Sequence, residues 1–220
     1  MTFGDLFERA ARYDVDEDAV RAALADRRDR DTVGEGEGDA TGKSDEGLVS
    51  SPDREPSPAR VVADADVLAA DLLVGGAARE ALDALRSHGW TTLVASDSLL
   101  DDAEAVIASL SDVALAGDWR ETVETWREPA AHPTGDHPAL GSAYRGAAMQ
   151  VVSLDPAFTG PRAAAGLRDR LPVSVREPRA FATVFSPAKL YPEAVGGAYP
   201  GPDRDPRSMR PLAGDRDRHR

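Results

Sequence analysis

A set of aspartates stands where chemistry could be done. Asp64 follows the apolar run Val61-Val62-Ala63, and Asp66 lies two residues on. Asp155 follows Val151-Val152-Ser153. Asp101 and Asp102 fall one turn into a helix that Ser96 caps. Asp136 precedes the helix that leads into the strand ending at Ser153. Carboxylates gathered on one rim repel, and they persist together when a divalent cation neutralises them. Oxygen ligands of this hardness suit Mg²⁺ or Mn²⁺ rather than zinc. Each acid also has a plainer reading. Asp64 and Asp136 could cap helices, Asp155 could form the turn before Pro156, and Asp102 could be a first-turn acid favoured by the helix dipole.

These positions need a scaffold that turns strand ends toward one side. The pattern predicts strands at residues 60–63, 91–95, 150–153 and 173–175. It predicts helices over 67–86 (broken at Gly75-Gly76), 96–110, 119–126, 138–147 and 179–185. Strands alternating with helices imply an α/β fold with a parallel sheet covered on both faces. In such sheets ligands bind outside the carboxyl ends of the strands.

Around that domain lie three other pieces. Residues 1–28 read as a helical hairpin, with Leu6, Phe7 and Ala10 on one helix and Val20, Ala23 and Leu24 on the next. Two short helices bury little on their own, so the hairpin must dock or stay marginal. It also offers a docking element to a protein partner. Residues 29–58 read as a disordered acidic linker and 188–220 as a mostly disordered basic tail, both too poor in apolar periodicity to offset ordering entropy.

Composition narrows the function classes. The absence of cysteine excludes disulfides, thiolate zinc sites and cysteine nucleophiles. His88, His132, His137 and His219 do not fall at a usual metal-ligand spacing. No stretch approaches the ~20 apolar residues of a bilayer crossing, and the first ten residues lack a signal-peptide core. These point to a cytoplasmic protein without a membrane partner. Net charge is −13, from 26 Asp and 13 Glu against 24 Arg and only 2 Lys. Such an Asp-rich, Lys-poor surface resembles the proteins of a salt-in halophile, where dense carboxylates stay hydrated under nearly complete screening. Residues 160–220 alone are basic, with 12 cationic and 7 anionic groups.

Four segments, in order, carry a family resemblance. They are Val61-Val62-Ala63-Asp64-Ala65-Asp66-Val67-Leu68, Ser96-Asp97-Ser98-Leu99-Leu100-Asp101-Asp102, Asp136-His137-Pro138-Ala139-Leu140-Gly141-Ser142-Ala143, and Val151-Val152-Ser153-Leu154-Asp155-Pro156-Ala157-Phe158. Residues 173–185 look like the closing strand and helix. The series resembles the PIN-domain ribonucleases over roughly residues 60–187, in a chain whose composition suggests a halophilic archaeon. The resemblance implies a three-layer α/β/α PIN-like domain over 59–187 and divalent-metal-dependent hydrolysis of RNA phosphodiester bonds. By it Asp64, Asp102, Asp136 and Asp155 would be the catalytic metal ligands for Mg²⁺ or Mn²⁺, with Asp66 and Ser153 auxiliary. It implies RNA as partner and a homodimer as a common state. Where the family usually has Glu this chain has Asp102, with Asp101 and Glu104 beside it. That departure supports an alternative: a catalytically degenerate PIN-like binding or regulatory module.

Overall fold

A computed structural model describes residues 1–34, 54–132, 137–160 and 173–212. Its centre is β1 (Ser57–Ala63), whose last three residues are completely buried. A strand apolar on both faces needs helices above and below it, and it has them. β2 (Thr92–Ala95) pairs parallel to β1 on one side and β4 (Ala148–Val152) on the other. β3 (Arg127–Pro129) and β5 (Ser174–Arg176) close the edges, giving a five-stranded parallel sheet in the order β3-β2-β1-β4-β5. The α/β/α architecture expected from the alternation is thus present.

The fifth strand was not among the expected elements. Arg127-Glu128-Pro129 is polar and ends in proline, a residue confined to sheet edges because it lacks a ladder donor. Two arginines hold it: Arg127 Nη1 donates to the Ala95 carbonyl at 2.7 Å, and Glu128 accepts from Arg60 Nη1 and Nη2 at 3.0 and 2.7 Å.

The expected break at Gly75-Gly76 separates α3 (Ala65–Leu73) from α4 (Gly76–Arg86). Both glycines have positive φ, 82° and 52°, which side-chain-bearing residues rarely adopt. Arg79 folds back over the break and donates to the carbonyls of Asp71 and Leu72, closing the end of α3. α5 (Asp97–Leu110) begins at Ser96, whose Oγ accepts from Leu99 N. α6 (Val113–Glu124) brings Trp119 into the core, and Trp126 just beyond it meets Phe3 edge-on at 5.6 Å. Trp119 is a core residue, and Trp126 packs half-buried against that core.

α7 (Pro138–Arg145) runs down to Gly146, where backbone passes hard against β2. A Cβ at Gly146 would sit 2.2 Å from Val94 Cγ1 and 2.8 Å from Ser142 O. Gly146→Ala is therefore expected to cost about 1–3 kcal/mol through overpacking. A thermal melt in concentrated KCl reads it, and an unchanged midpoint would contradict the close approach.

The hairpin is docked, not loose. α1 (Phe3–Ala10) and α2 (Glu17–Gly34) place Phe3, Leu6, Phe7, Ala10, Val20 and Leu24 in the same core as β1 and α3. α2 continues through 29–34, so the expected linker is shorter at this end, and β1 takes 57 and 58 at the other; residues 35–53 lie outside the described ones.

The reading of 188–220 as a disordered tail is corrected over the residues described. After α8 (Pro156–Thr159) and α9 (Pro178–Val184), α10 (Pro187–Ala194) leads into a segment packed on the turn that follows α4. The order comes from a few aromatic contacts. Trp90 stacks on Phe185 and meets Tyr191 edge-on, and His88 Nε2 lies 2.6 Å from the Tyr199 hydroxyl. Asp203 Oδ1 then accepts from Gly89 N at 2.7 Å. Among the described residues no helix is long and apolar enough to cross a membrane.

Candidate functional site

The sheet order reverses between β1 and β4. The chain steps outward from β1 to β2 to β3, then returns past β1 to β4 and β5. Loops leaving β1 and β4 diverge at such a point and open a crevice above the strand ends, where α/β proteins bind ligands. Asp64 leaves β1 there, and Ser153 and Asp155 leave β4.

Asp64 has no solvent exposure. It caps α3, with Oδ1 accepting from Ala65 N at 2.8 Å. Oδ2 accepts from the Ser153 hydroxyl at 3.1 Å, and Ser153 Oγ in turn accepts from Asp155 N at 3.0 Å. Ser153 thus links Asp64 to the start of the loop after β4. Asp66 is also buried and uses both oxygens on backbone: Oδ1 on Val67 N at 2.6 Å, Oδ2 on Leu154 N at 3.0 Å. That second bond ties the start of α3 to the loop after β4. Burial, and then the neighbouring Asp64 charge, push the Asp66 carboxyl well above the usual carboxylate range. Asp155 caps α8 through Ala157 N and faces the crevice, which holds about 380 Å³ between α2 and the β4 loop.

The three candidate acids on α5, Asp101, Asp102 and Glu104, point in two directions. Asp101 and Glu104 face Arg120, at 2.6 and 3.6 Å, the first exposed and the second half-buried. Asp102 turns inward and is nearly buried. Asp136 lies outside the described residues. Its neighbour His137 caps α7 through Nδ1, which accepts from Ala139 N, and stacks edge-on against Phe158 at 4.4 Å. Burial lowers the His137 pKa, against the opposing pull of Asp64. Because Nδ1 accepts, the proton sits on Nε2, which is buried with no hydrogen-bond partner.

Two residues that sequence reasoning missed complete the site. Arg28 of α2 donates from Nη2 to Asp64 Oδ1 at 2.9 Å, and its Nε lies 3.5 Å from Asp102 Oδ2. Arg27 donates from Nε to Asp102 Oδ1 at 2.7 Å. One guanidinium therefore spans Asp64 and Asp102, which brings these two expected ligands together. Burial disfavours the Arg28 charge, but Asp64, Asp102 and Asp66 more than offset this, and its pKa lies above the ordinary value. The only sequence signal was the adjacent pair Arg27-Arg28 on a hairpin that had to dock.

The family model for a family of unknown function, DUF7384, matches residues 55–207. The chain belongs to DUF7384. The match takes in the whole sheet and every described acid above, and it begins after both hairpin helices. No curated protein and no solved structure matches the chain.

For the DUF7384 chain the fit of a divalent ion can be tested on the donors. Asp64 and Asp102 are engaged by arginine, and Asp66 by backbone N–H groups. Among the described residues no three carboxylates or imidazoles converge on a point that would hold a metal. With α2 docked, the residues shown do not fit the ion.

Proposed function

We propose that this DUF7384 chain hydrolyses RNA phosphodiester bonds with a divalent cation, as a PIN-like endoribonuclease. One observation carries the reading. Asp64, Asp66 and Asp155 gather at the switch point of a parallel sheet, and a single bridging cation, Arg28, spans Asp64 and Asp102 there. A rim that keeps a cation against buried carboxylates is one that binds positive charge. Ser153 and the Ala65 N–H hold Asp64 in one orientation, the placement a charged ligand or reacting group needs.

The test is cleavage of single-stranded and structured RNA in concentrated KCl with Mn²⁺. High salt matters because the −13 charge would strain the fold in dilute buffer. The wild-type chain is expected to cut, and Asp64→Asn with Asp155→Asn to abolish cutting while leaving the melting temperature close to wild type. Equal rates for both proteins would sink the proposal.

A second reading has its own observation. Asp64 and Asp102 already carry guanidinium partners, so the site is neutralised without metal. On that reading the chain is a catalytically degenerate module that binds RNA or a protein. It predicts a mobility shift of RNA with no product at any Mn²⁺ concentration.

A further inference from the structure

We propose that α2 is an internal competitor for the cation, with Arg28 and Arg27 standing where a divalent ion would be held, so that the site loads only when the end of α2 withdraws. This rests on the metal-dependent reading above. The mismatch between the family-like acids and the missing three-carboxylate point is its starting observation.

The arginines reach the site from a distant segment. Arg28 lies 36 residues before Asp64, and Arg27 lies 75 before Asp102. They cover the carboxylates from outside: the Arg28 and Arg27 side chains are 23% and 30% exposed, whereas Asp64 and Asp102 are 0% and 7%. They supply positive charge at the same oxygens an ion would use. An arginine and an ion cannot share Asp64 Oδ1, which already accepts from Ala65 N as well.

The helix is built so that this end can lift. Its apolar anchors, Val20 and Leu24, lie in the first half. After Leu24 no apolar side chain of α2 up to Arg30 is buried; Ala25 is exposed. Between Leu24 and Arg30 the helix is therefore held by charge and not by apolar burial. The Arg28 contact is also incomplete. Its Nε is buried and makes no hydrogen bond, reaching only the 3.5 Å ion-pair distance to Asp102. An unmet buried donor makes the docked state easier to displace. The crevice supplies an approach: Arg21, Leu24, Ala25 and Arg28 form one wall, Asp66 and Asp155 the other.

The experiment uses the full chain in concentrated KCl and Mn²⁺ alone, with free Mn²⁺ read by electron paramagnetic resonance. Arg27→Ala with Arg28→Ala is expected to bind Mn²⁺ about tenfold tighter than wild type or more, the factor set by the share of wild-type molecules with α2 open. Arg28→Lys, which keeps the charge, should stay near wild type. A nitroxide on Asp26→Cys, the only thiol in the chain, should gain mobility when Mn²⁺ is added to otherwise wild-type protein. If circular dichroism shows the double variant unfolded, Arg28→Gln takes its place with the same expectation. Wild type and variant binding Mn²⁺ equally, with the label unmoved, overturns the inference and leaves the nuclease reading standing. No Mn²⁺ binding by either folded protein overturns that reading and the inference with it.

Discussion

A chain shortened to begin at Arg54 should fail to fold, although it retains the whole of the DUF7384 region. Phe3, Leu6, Phe7, Val20 and Leu24 are each at most 5% exposed, and they share one core with β1, α3 and α5. Burying a large apolar side chain contributes about 1.5–3 kcal/mol, so these five contribute on the order of 8–15 kcal/mol. That matches the whole stability of an ordinary domain, about 5–15 kcal/mol. The loss also uncovers their partners and removes the ion pairs from Arg9 to Asp118 and from Arg12 to Asp112. The measurement is a thermal melt of residues 54–220 in concentrated KCl. A cooperative transition near that of the full chain would show the hairpin to be an appendix. A milder version is Phe3→Ala, expected to cost about 3–5 kcal/mol.

What could be read beforehand follows from the range of the interactions. β1, β2 and β4 hold short apolar runs next to turn residues, and β5 follows Val173 in a Val-Ser-Val alternation, all local signals. The carboxyl ends of β1 and β4 follow once the strands are placed, and with them Asp64, Ser153 and Asp155. Asp102 could be narrowed to a group of three on α5 but not chosen, because the choice depends on Arg120 taking Asp101 and Glu104. β3 escaped because its three residues are polar and held by Arg60 and Arg127. The ordered segment after α10 escaped for a similar reason. Its Pro, Gly and Asp content reads as disorder, and a handful of contacts to His88, Trp90 and Gly89 override it. Arg28 is the hardest case. A helical arginine ordinarily faces water, and nothing within a few residues shows that this one ends on a buried aspartate far along the chain.

Arg86 is the second arginine that breaks this rule, and its removal should have an effect as large as any single substitution in the chain. Its side chain is wholly buried. Nη1 and Nη2 donate to Asp71 Oδ2 and Oδ1 at 2.8 and 2.7 Å, a bidentate pair, and Nε and Nη2 both reach Asp83 Oδ1. The guanidinium also lies 4.6 Å from the centre of the Phe3 ring and 5.3 Å from that of Trp126, so it is the seat of the hairpin. Burial pushes the Asp71 carboxyl up, and Arg86 pulls it only part of the way back. In such a pair desolvation rivals attraction, so its net worth is small while each partner depends on the other. Arg86→Met is therefore expected to cost about 3–5 kcal/mol by leaving buried Asp71 to the weaker contact with Arg79, whose Nε lies 3.9 Å away. For a chain of this size that lowers the melting temperature by roughly 6–20 °C. Asp83, at 27% exposure, can turn to water and is not stranded. Pairing Arg86→Met with Asp71→Leu should recover most of the loss, because the poorly paired buried charge is gone. If the double variant melts no higher than the single one, the cost lies in the aromatic seat of the hairpin and not in the ion pair. Raising KCl should leave the loss nearly unchanged, since a buried pair is poorly screened; the exposed acids around Arg120 should weaken with the same salt.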